Sequence, residues 1–177
     1  YILVMDADEI FVDNGFSPDK LICDMYNARY TGDLGYSYPV LFNAKKKWKY
    51  EYVTHEIPVA DFEGSYSQET TDMFMLDHRH DGGTVSEKFD RDIALIKSEL
   101  EKYPGNHRYL FYLAQSYFDI GNTEMAYNAY MDRINVGGWE EEVAYSWYRA
   151  GLCSTGAEFI RCMLMSYSTV QRAEPLY

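Results

Sequence analysis

The sequence predicts an α/β fold over residues 1–83, a connecting helix over 84–106, and all-α helical hairpins over 107–177. Two observations support this division. Short apolar and alternating segments separated by Gly, Asp and Asn fill the first part, which is typical of a mixed sheet. From residue 84 onward the apolar residues recur at helical spacing instead. We therefore expect two parts of different secondary structure.

The first part opens with the apolar run Ile2 to Met5, which is typical of a strand buried on both faces. Ser17 followed by Pro18 predicts a helix start, with Ser17 as the cap and Pro18 at the first helical position. Three further segments read as strands because apolar and aromatic residues alternate or cluster between turn residues: 35–43, 48–59 and 71–80.

The connecting helix is predicted from one apolar stripe, with Ser86 as its cap and Pro104 after its end. The stripe consists of Phe89, Ile93, Ile96 and Leu100. Because these residues fall three or four positions apart, they share one face of a helix. We expect that face to be packed against other elements.

Two helix pairs are predicted after the connecting helix. The first pair turns at Gly121-Asn122, and the second follows Gly137-Gly138 and turns at Thr155-Gly156. The small and aromatic residues of the first pair fall at tetratricopeptide spacing: Leu113, Ala114, Tyr117, Gly121, Ala126 and Tyr130. Ala114 and Ala150 are 36 residues apart, which is close to that repeat period. The alternative is an unrelated pair of helical hairpins.

Composition and charge narrow the classes of partner and compartment. The formal charge of −12 gives no basic footprint for phosphates, so we expect no nucleic-acid partner. Cys23, Cys153 and Cys162 are far apart and show no metal-ligand spacing, which favours free thiols in a reducing, cytoplasmic setting. No apolar run approaches membrane-spanning length, so no transmembrane segment is predicted.

The acidic turn after the first strand is the first candidate site. Asp6 and Asp8 alternate at the strand end, with the small Ala7 between them. Carboxylates there suit a hard cation such as Mn²⁺ or Mg²⁺, which can hold a diphosphate and stabilise it as a leaving group. The alternative is an acidic loop that only caps the next element. Because D-x-D is a common string, both interpretations stay open on this motif alone.

Three of the four histidines form two further clusters beside acidic residues. His55 and Glu56 follow an aromatic segment, and His78 and His80 lie two residues apart, on one face if their segment is extended. A structural role is the alternative for each histidine. The pattern favours a functional role for Glu56 and for the pair of His78 and His80.

These motifs, in this order, resemble the family-2-like glycosyltransferases that carry tetratricopeptide repeats after a GT-A catalytic domain. The resemblance rests on the following segments and covers nearly all of the chain: "ILVMDADE", "WKYEYVTHE", "LDHRHDGG…SEKFDRD", "YPGNHRYLFYLAQSYFDIGNTEMAYNAY" and "GGWEEE". It implies a Rossmann-like partial GT-A sheet and a nucleotide-sugar-dependent transferase of hexosyltransferase type.

The resemblance also implies roles for individual residues. Asp6 and Asp8 match its D-x-D motif, which holds the donor diphosphate through a divalent cation, and Asp8 is the expected direct contact. Glu56, with His55 beside it, lies where such enzymes present an acid to the acceptor. His78 or His80 matches a late metal or diphosphate contact, and their spacing leaves open which of them points inward.

The same resemblance sets expectations about partners and completeness. The donor is a nucleotide sugar, and the acceptor is a glycan, peptide or protein that the repeat helices could help to bind. A nucleotide-binding half precedes the D-x-D strand in such enzymes, and this sequence starts within that strand. We therefore expect a fragment that is inactive by itself.

Two other functions compete with the transferase. An apolar strand ending in D-x-D is also typical of haloacid-dehalogenase-like phosphatases, in which the first Asp is the nucleophile. That function requires a later paired-acid motif and alternating strands and helices, which the sequence lacks. The other alternative is an interaction module without catalytic activity, because tetratricopeptide helices commonly bind peptides.

Overall fold

The computed structural model describes residues 1–79 and 85–176. Contacts divide the chain into two compact units, Tyr1–Gly83 and Thr84–Tyr177. Together they give a mixed α/β protein, with strands in the first unit and α-helices in the second. This confirms the predicted fold class at the level of secondary structure.

The first unit contains a mixed five-stranded sheet and a two-stranded hairpin. Its strands are β1 (Ile2–Leu3), β2 (Glu9–Asp13), β3 (Met25–Tyr30), β4 (Asp33–Phe42), β5 (Trp48–Glu51), β6 (Ile57–Ala60) and β7 (Gln68–His78). The sheet order is β1-β4-β3-β7-β2, and β5 pairs with β6. The β3–β7 pair is parallel, and the other described pairs are antiparallel.

Of the strand predicted from the apolar run Ile2 to Met5, the structure forms only β1, and the side chains of this run are not buried. Ile2 and Leu3 pair antiparallel with β4 at one edge of the described sheet, and the N–H of Val4 donates to the carbonyl oxygen of Val40 at 2.8 Å. Ile2 is 57% exposed and Leu3 is 38% exposed. The physical reason is that no strand within residues 1–79 pairs with the second edge of β1 or covers its apolar side chains.

Two other segments of the first unit differ from the expected elements. Residues 48–59 form the β5–β6 hairpin instead of one strand, and Tyr52 and His55 take positive φ values of 78° and 49° in its turn. The helix start at Ser17 yields a single 3-10 turn over Pro18–Lys20. The chain then becomes extended because the segment that follows joins the sheet as β3, which the sequence pattern did not predict.

The core of the first unit lies on β3, β4 and β7. Phe74 on β7 is fully buried, and its ring stacks on Phe11 of β2 at a centroid distance of 4.9 Å. The core residues are Tyr26, Ala28, Val40, Leu41, Phe74 and Leu76. Burial of these side chains stabilises the pairing of β7 with both β2 and β3. That pairing fixes where the end of β7 lies relative to the segment before β2.

The second unit consists of five helices in sequence. They are α1 (Val85–Lys102), α2 (His107–Asp119), α3 (Thr123–Val136), α4 (Glu140–Leu152) and α5 (Gly156–Thr169), followed by a 3-10 turn over Glu174–Leu176. Each helix packs against the next one in the chain. The short connections make these neighbours helical hairpins. Asn106 and Asn122 cap α2 and α3, since each side-chain oxygen accepts the backbone N–H of the third residue of its helix, Tyr109 and Met125.

Small residues allow these helices to approach closely. Ala114, Ala126 and Ala150 have no exposed surface, and all three belong to one core cluster with Tyr130. The turn residue Gly121 has a φ of 76°, which a residue with a side chain rarely adopts. The close approach and the glycine turn therefore occur at the predicted positions. Their assignment to tetratricopeptide repeats stays a prediction.

The predicted helix 84–106 corresponds to α1, which belongs to the second unit. Ile96 of its apolar stripe is fully buried, while Phe89, Ile93 and Leu100 are partly buried. Ser86 lies within the first turn of α1 and not ahead of it, so it does not occupy the predicted cap position. None of the described helices has the length and hydropathy needed to cross a membrane.

Candidate functional site

The acidic segment forms a tight turn between β1 and β2. The N–H of Glu9 donates to the carbonyl oxygen of Asp6 at 3.1 Å, and the N–H of Asp6 donates to Oε2 of Glu9 at 2.9 Å. The ends of the turn are therefore closed by one backbone bond and one side-chain bond. We call residues Asp6–Glu9 the acidic turn.

Asp8 of the acidic turn meets His78 at the end of β7. Asp8 Oδ2 and His78 Nε2 are 3.0 Å apart. The pairing of β2 with β7 places Glu9 opposite His78, and the N–H of Arg79 donates to the carbonyl oxygen of Asp8 at 2.9 Å. Sheet pairing and a backbone hydrogen bond thus hold Asp8 and His78 side by side.

Tyr30, at the end of β3, also contacts the acidic turn. Its hydroxyl donates to Oε1 of Glu9 at 2.7 Å. Burial raises the pKa of Tyr30 far above its usual range, and the hydrogen bond to the Glu9 carboxylate raises it further. The phenol therefore remains protonated and able to donate at every physiological pH.

Glu56 lies in the turn of the β5–β6 hairpin, and its side chain is exposed. The Tyr38 hydroxyl donates to the backbone carbonyl oxygen of Glu56 and so ties the hairpin turn to β4. Burial raises the pKa of Tyr50, and the negative charges of Glu56 and Asp6 raise it further. Both carboxylates consequently lie within electrostatic range of the same phenol.

The structure therefore brings several predicted residues into one region of the first unit. Asp8 contacts His78, while Asp6 and Glu56 both act on Tyr50. His55, next to Glu56, is exposed and lies in the left-handed backbone region. The prediction for His80 lies outside the described residues.

The chemistry of the donor set decides whether a divalent cation fits here. Within residues 1–79 and 85–176, no three His, Cys, Asp or Glu side chains converge as a ready ligand group. The Asp8–His78 pair offers one carboxylate oxygen and one imidazole nitrogen, both partly exposed. Mg²⁺ is often held by only one or two carboxylates plus substrate phosphates, Mn²⁺ also prefers carboxylate oxygens, and neutral imidazole is the commonest metal-binding side chain in proteins. The pair fits a cation that completes its coordination with phosphate and water.

Two residues of this region were not singled out from the sequence. Glu9 is the third acid of "DADE", and Tyr30 is one of 18 tyrosines. The position of Glu9 beside Asp8 was a signal that could have been used. Tyr30 carried no such signal, because its approach to the turn depends on the parallel β3–β7 pairing.

No family model matches the chain, and no curated protein matches it.

Proposed function

We propose that this chain carries the metal- and acceptor-binding part of a glycosyltransferase that uses a nucleotide-sugar donor. The contact between Asp8 and His78 at 3.0 Å is the observation that supports this most directly. Two groups suited to a divalent cation meet there, at the turn that also contains Asp6, whose charge acts on the same phenol, Tyr50, as the charge of Glu56. A site with metal ligands on one side and a carboxylate on the other suits transfer from a diphosphate leaving group.

Asp8 and His78 would hold the cation, and Asp6 would face the nucleotide side of the donor. When bound, the divalent cation neutralises the donor diphosphate and so stabilises it as a leaving group. Beyond the effect of burial, the charges of Glu56 and Asp6 both raise the pKa of the Tyr50 phenol, which supports placing Asp6 on the side of the site that also holds the base.

Glu56 is the general base of the proposed reaction. Its carboxylate takes the proton from the acceptor hydroxyl as that oxygen forms a bond to the anomeric carbon of the sugar. The bond between the anomeric carbon and the diphosphate oxygen breaks, and the electron pair leaves with the nucleoside diphosphate. The exposure of Glu56 suits this role, since an acceptor must reach the carboxylate from solvent.

The phosphatase alternative receives less support from the fold. In that class the D-x-D motif follows a strand that pairs in parallel with its neighbours, with further acids at the ends of those strands. Here β1 pairs antiparallel with β4, and the one described parallel pair is β3–β7. The described strands therefore lack the parallel arrangement that the phosphatase requires next to its D-x-D motif.

The helical unit supports a role in binding the acceptor. We propose that α2–α5 are tetratricopeptide-like and bind a peptide or glycan-bearing acceptor. Ile160 and Leu164, one helical turn apart on α5, are 58% and 61% exposed, which is unusual for apolar side chains. The interaction module without catalysis remains the second candidate on the same observation.

The test is an assay of the complete protein with uridine and guanosine diphosphate sugars and Mn²⁺. We expect release of nucleoside diphosphate that stops when a chelator is added in excess and resumes when Mn²⁺ is restored. Turnover that is unchanged in excess chelator would contradict the proposal. Peptide binding with no release of nucleotide from any donor would instead favour the interaction module.

A further inference from the structure

Glu9 has both of its carboxylate oxygens engaged by this chain itself. Oε1 accepts the Tyr30 hydroxyl at 2.7 Å, and Oε2 accepts the N–H of Asp6 at 2.9 Å. We propose that Glu9 and Tyr30 form a positioning pair that holds the acidic turn in the conformation that binds the cation. Glu9 is, in this assignment, a brace for its neighbours and not a metal ligand.

Glu9 differs from Asp8 because both of its carboxylate oxygens accept hydrogen bonds from the protein. A metal ligand must turn a carboxylate oxygen toward the ion, and both oxygens of Glu9 are already directed to donors of the protein. Asp8, by contrast, presents Oδ2 to His78 Nε2, a group that can bind the same cation. Asp6, Asp8 and Glu9 thus have different proposed roles although they lie within four residues of one another.

Tyr30 connects this brace to the strand that carries His78. Tyr30 pairs in register with Leu76, two residues before His78 on β7. The burial of the ring and the bond to Glu9 keep its hydroxyl protonated, so it remains a donor. The link Tyr30–Glu9–Asp6 therefore fixes the acidic turn relative to the end of β7, where the second metal-binding side chain lies.

This inference rests on the proposed cation site. Substitutions at Glu9 distinguish a brace, that is, a residue that positions the acidic turn, from a residue that binds the metal directly. In Glu9→Gln, the amide oxygen can still accept the Asp6 N–H and the amide nitrogen can donate to the Tyr30 oxygen. That variant keeps the geometry and removes the charge. Glu9→Ala removes both, and Tyr30→Phe removes the hydroxyl alone. Tyr66→Phe serves as a matched control, because it removes an exposed phenol hydroxyl elsewhere in the unit.

Each variant is titrated with Mn²⁺ by calorimetry, and amide hydrogen exchange at Asp6 is measured by NMR without metal. We expect Tyr66→Phe to bind Mn²⁺ as the unaltered chain does, and Glu9→Gln to keep most of that affinity, because it loses a nearby charge but not the hydrogen bonds. Glu9→Ala and Tyr30→Phe should weaken binding by about tenfold or more, as loss of an outer-shell partner does. The Asp6 amide should exchange faster in those same two variants only.

Each outcome decides the proposal. If Glu9→Gln weakens Mn²⁺ binding as much as Glu9→Ala does, Glu9 acts through its charge as a ligand, and the brace is wrong. If Tyr30→Phe leaves both affinity and exchange unchanged, the pair has no positioning role. If the unaltered chain binds no Mn²⁺, the proposed function fails, and Asp6 exchange alone then tests the brace: equal exchange in all variants would overturn it. Should Glu9→Ala fail to fold, Tyr30→Phe still provides the test.

Discussion

Asp8 and His78 lie 3.0 Å apart, Oδ2 to Nε2, although one belongs to the turn before β2 and the other ends β7. The antiparallel pairing of β2 with β7 brings them together, with Glu9 directly opposite His78. An apolar core beneath both strands, centred on Phe74, holds that pairing in place. The proposed cation site thus depends on the register of two strands and not on the acidic turn alone.

Replacing Glu56 by Gln should lower turnover in the complete protein and leave donor binding unchanged. Gln keeps the shape of the side chain and removes its basicity, and loss of a general base typically costs about a hundredfold to ten-thousandfold in rate. Steady-state kinetics with varied donor would show this as a fall in kcat without a rise in the donor KM. Glu51→Gln, at the end of β5 in the same hairpin, is the matched control. Near-normal turnover of the Glu56 variant would exclude Glu56 as the base.

Asp24 should make the stability of the first unit depend on pH. The ammonium of Lys46, 2.8 Å from Asp24 Oδ2, and then the N–H of Ser67 lower the pKa of Asp24 to about 2. A carboxylate with a lower pKa in the folded state stabilises that state above its unfolded pKa of 3.8. This contribution is lost as the pH falls from about 4 through about 2, because protonation breaks the ion pair.

The measurement compares urea unfolding of the unaltered chain with that of Asp24→Asn across this pH range. At neutral pH the variant should be less stable. The difference should shrink as the pH falls below about 4, because protonated Asp24 has lost the same charge. Asp19→Asn, an exposed aspartate in the 3-10 turn, controls for a general change in net charge. A difference that stays constant down to about pH 2.5 would argue against the assigned role of Asp24.

Glu142 should be essential to the helical unit because it pairs with a fully buried arginine. Arg133 on α3 has no exposed surface; its Nε donates to Glu142 on α4 and its Nη1 to the Gly137 carbonyl, both at 2.6 Å. Glu142→Gln leaves that charge buried without a counter-ion, which typically costs roughly 3–5 kcal/mol. Chemical denaturation of the chain measures the loss.

The neighbouring Glu141 provides the control for this prediction. It pairs with Arg172, and both side chains are substantially exposed. Glu141→Gln should therefore cost about 1 kcal/mol or less. The double variant Arg133→Met with Glu142→Leu should recover part of the stability lost in Glu142→Gln, since no charge is left buried. If Glu141→Gln and Glu142→Gln lowered the free energy of unfolding equally, the burial of Arg133 would not contribute to the cost of losing its partner.

Periodicity in the sequence predicted the helical unit well, since its order depends on local spacing. Ala114, Ala126 and Gly121 occupy the buried and turn positions expected of them. The sheet was less predictable. β3 was missed because "MYNARY" has no clear alternation, and the segment around Ile2 lies at an exposed edge because strand position depends on pairing with distant segments. Such non-local pairing leaves no signal in a single sequence.

The site shows the same contrast. D-x-D spacing identified Asp6 and Asp8, and the alternation of "DHRH" identified His78, because these residues stand out by chemical type. The role of Tyr30 follows from a parallel pairing that the sequence does not show, and its phenol resembles any other tyrosine until the fold is known. Candidate residues that stand out by chemical type could therefore be named from the sequence, whereas the contact of Tyr30 with Glu9 could not.

Calorimetric titration of this chain with Mn²⁺, beside Asp8→Asn and the control Asp19→Asn, tests the central claim most directly. We expect one site in the unaltered chain, the same affinity in the Asp19 variant, and an affinity at least about tenfold lower in the Asp8 variant, because a ligand is lost. Identical titration curves for Asp8→Asn and the unaltered chain would show that the acidic turn does not bind the cation.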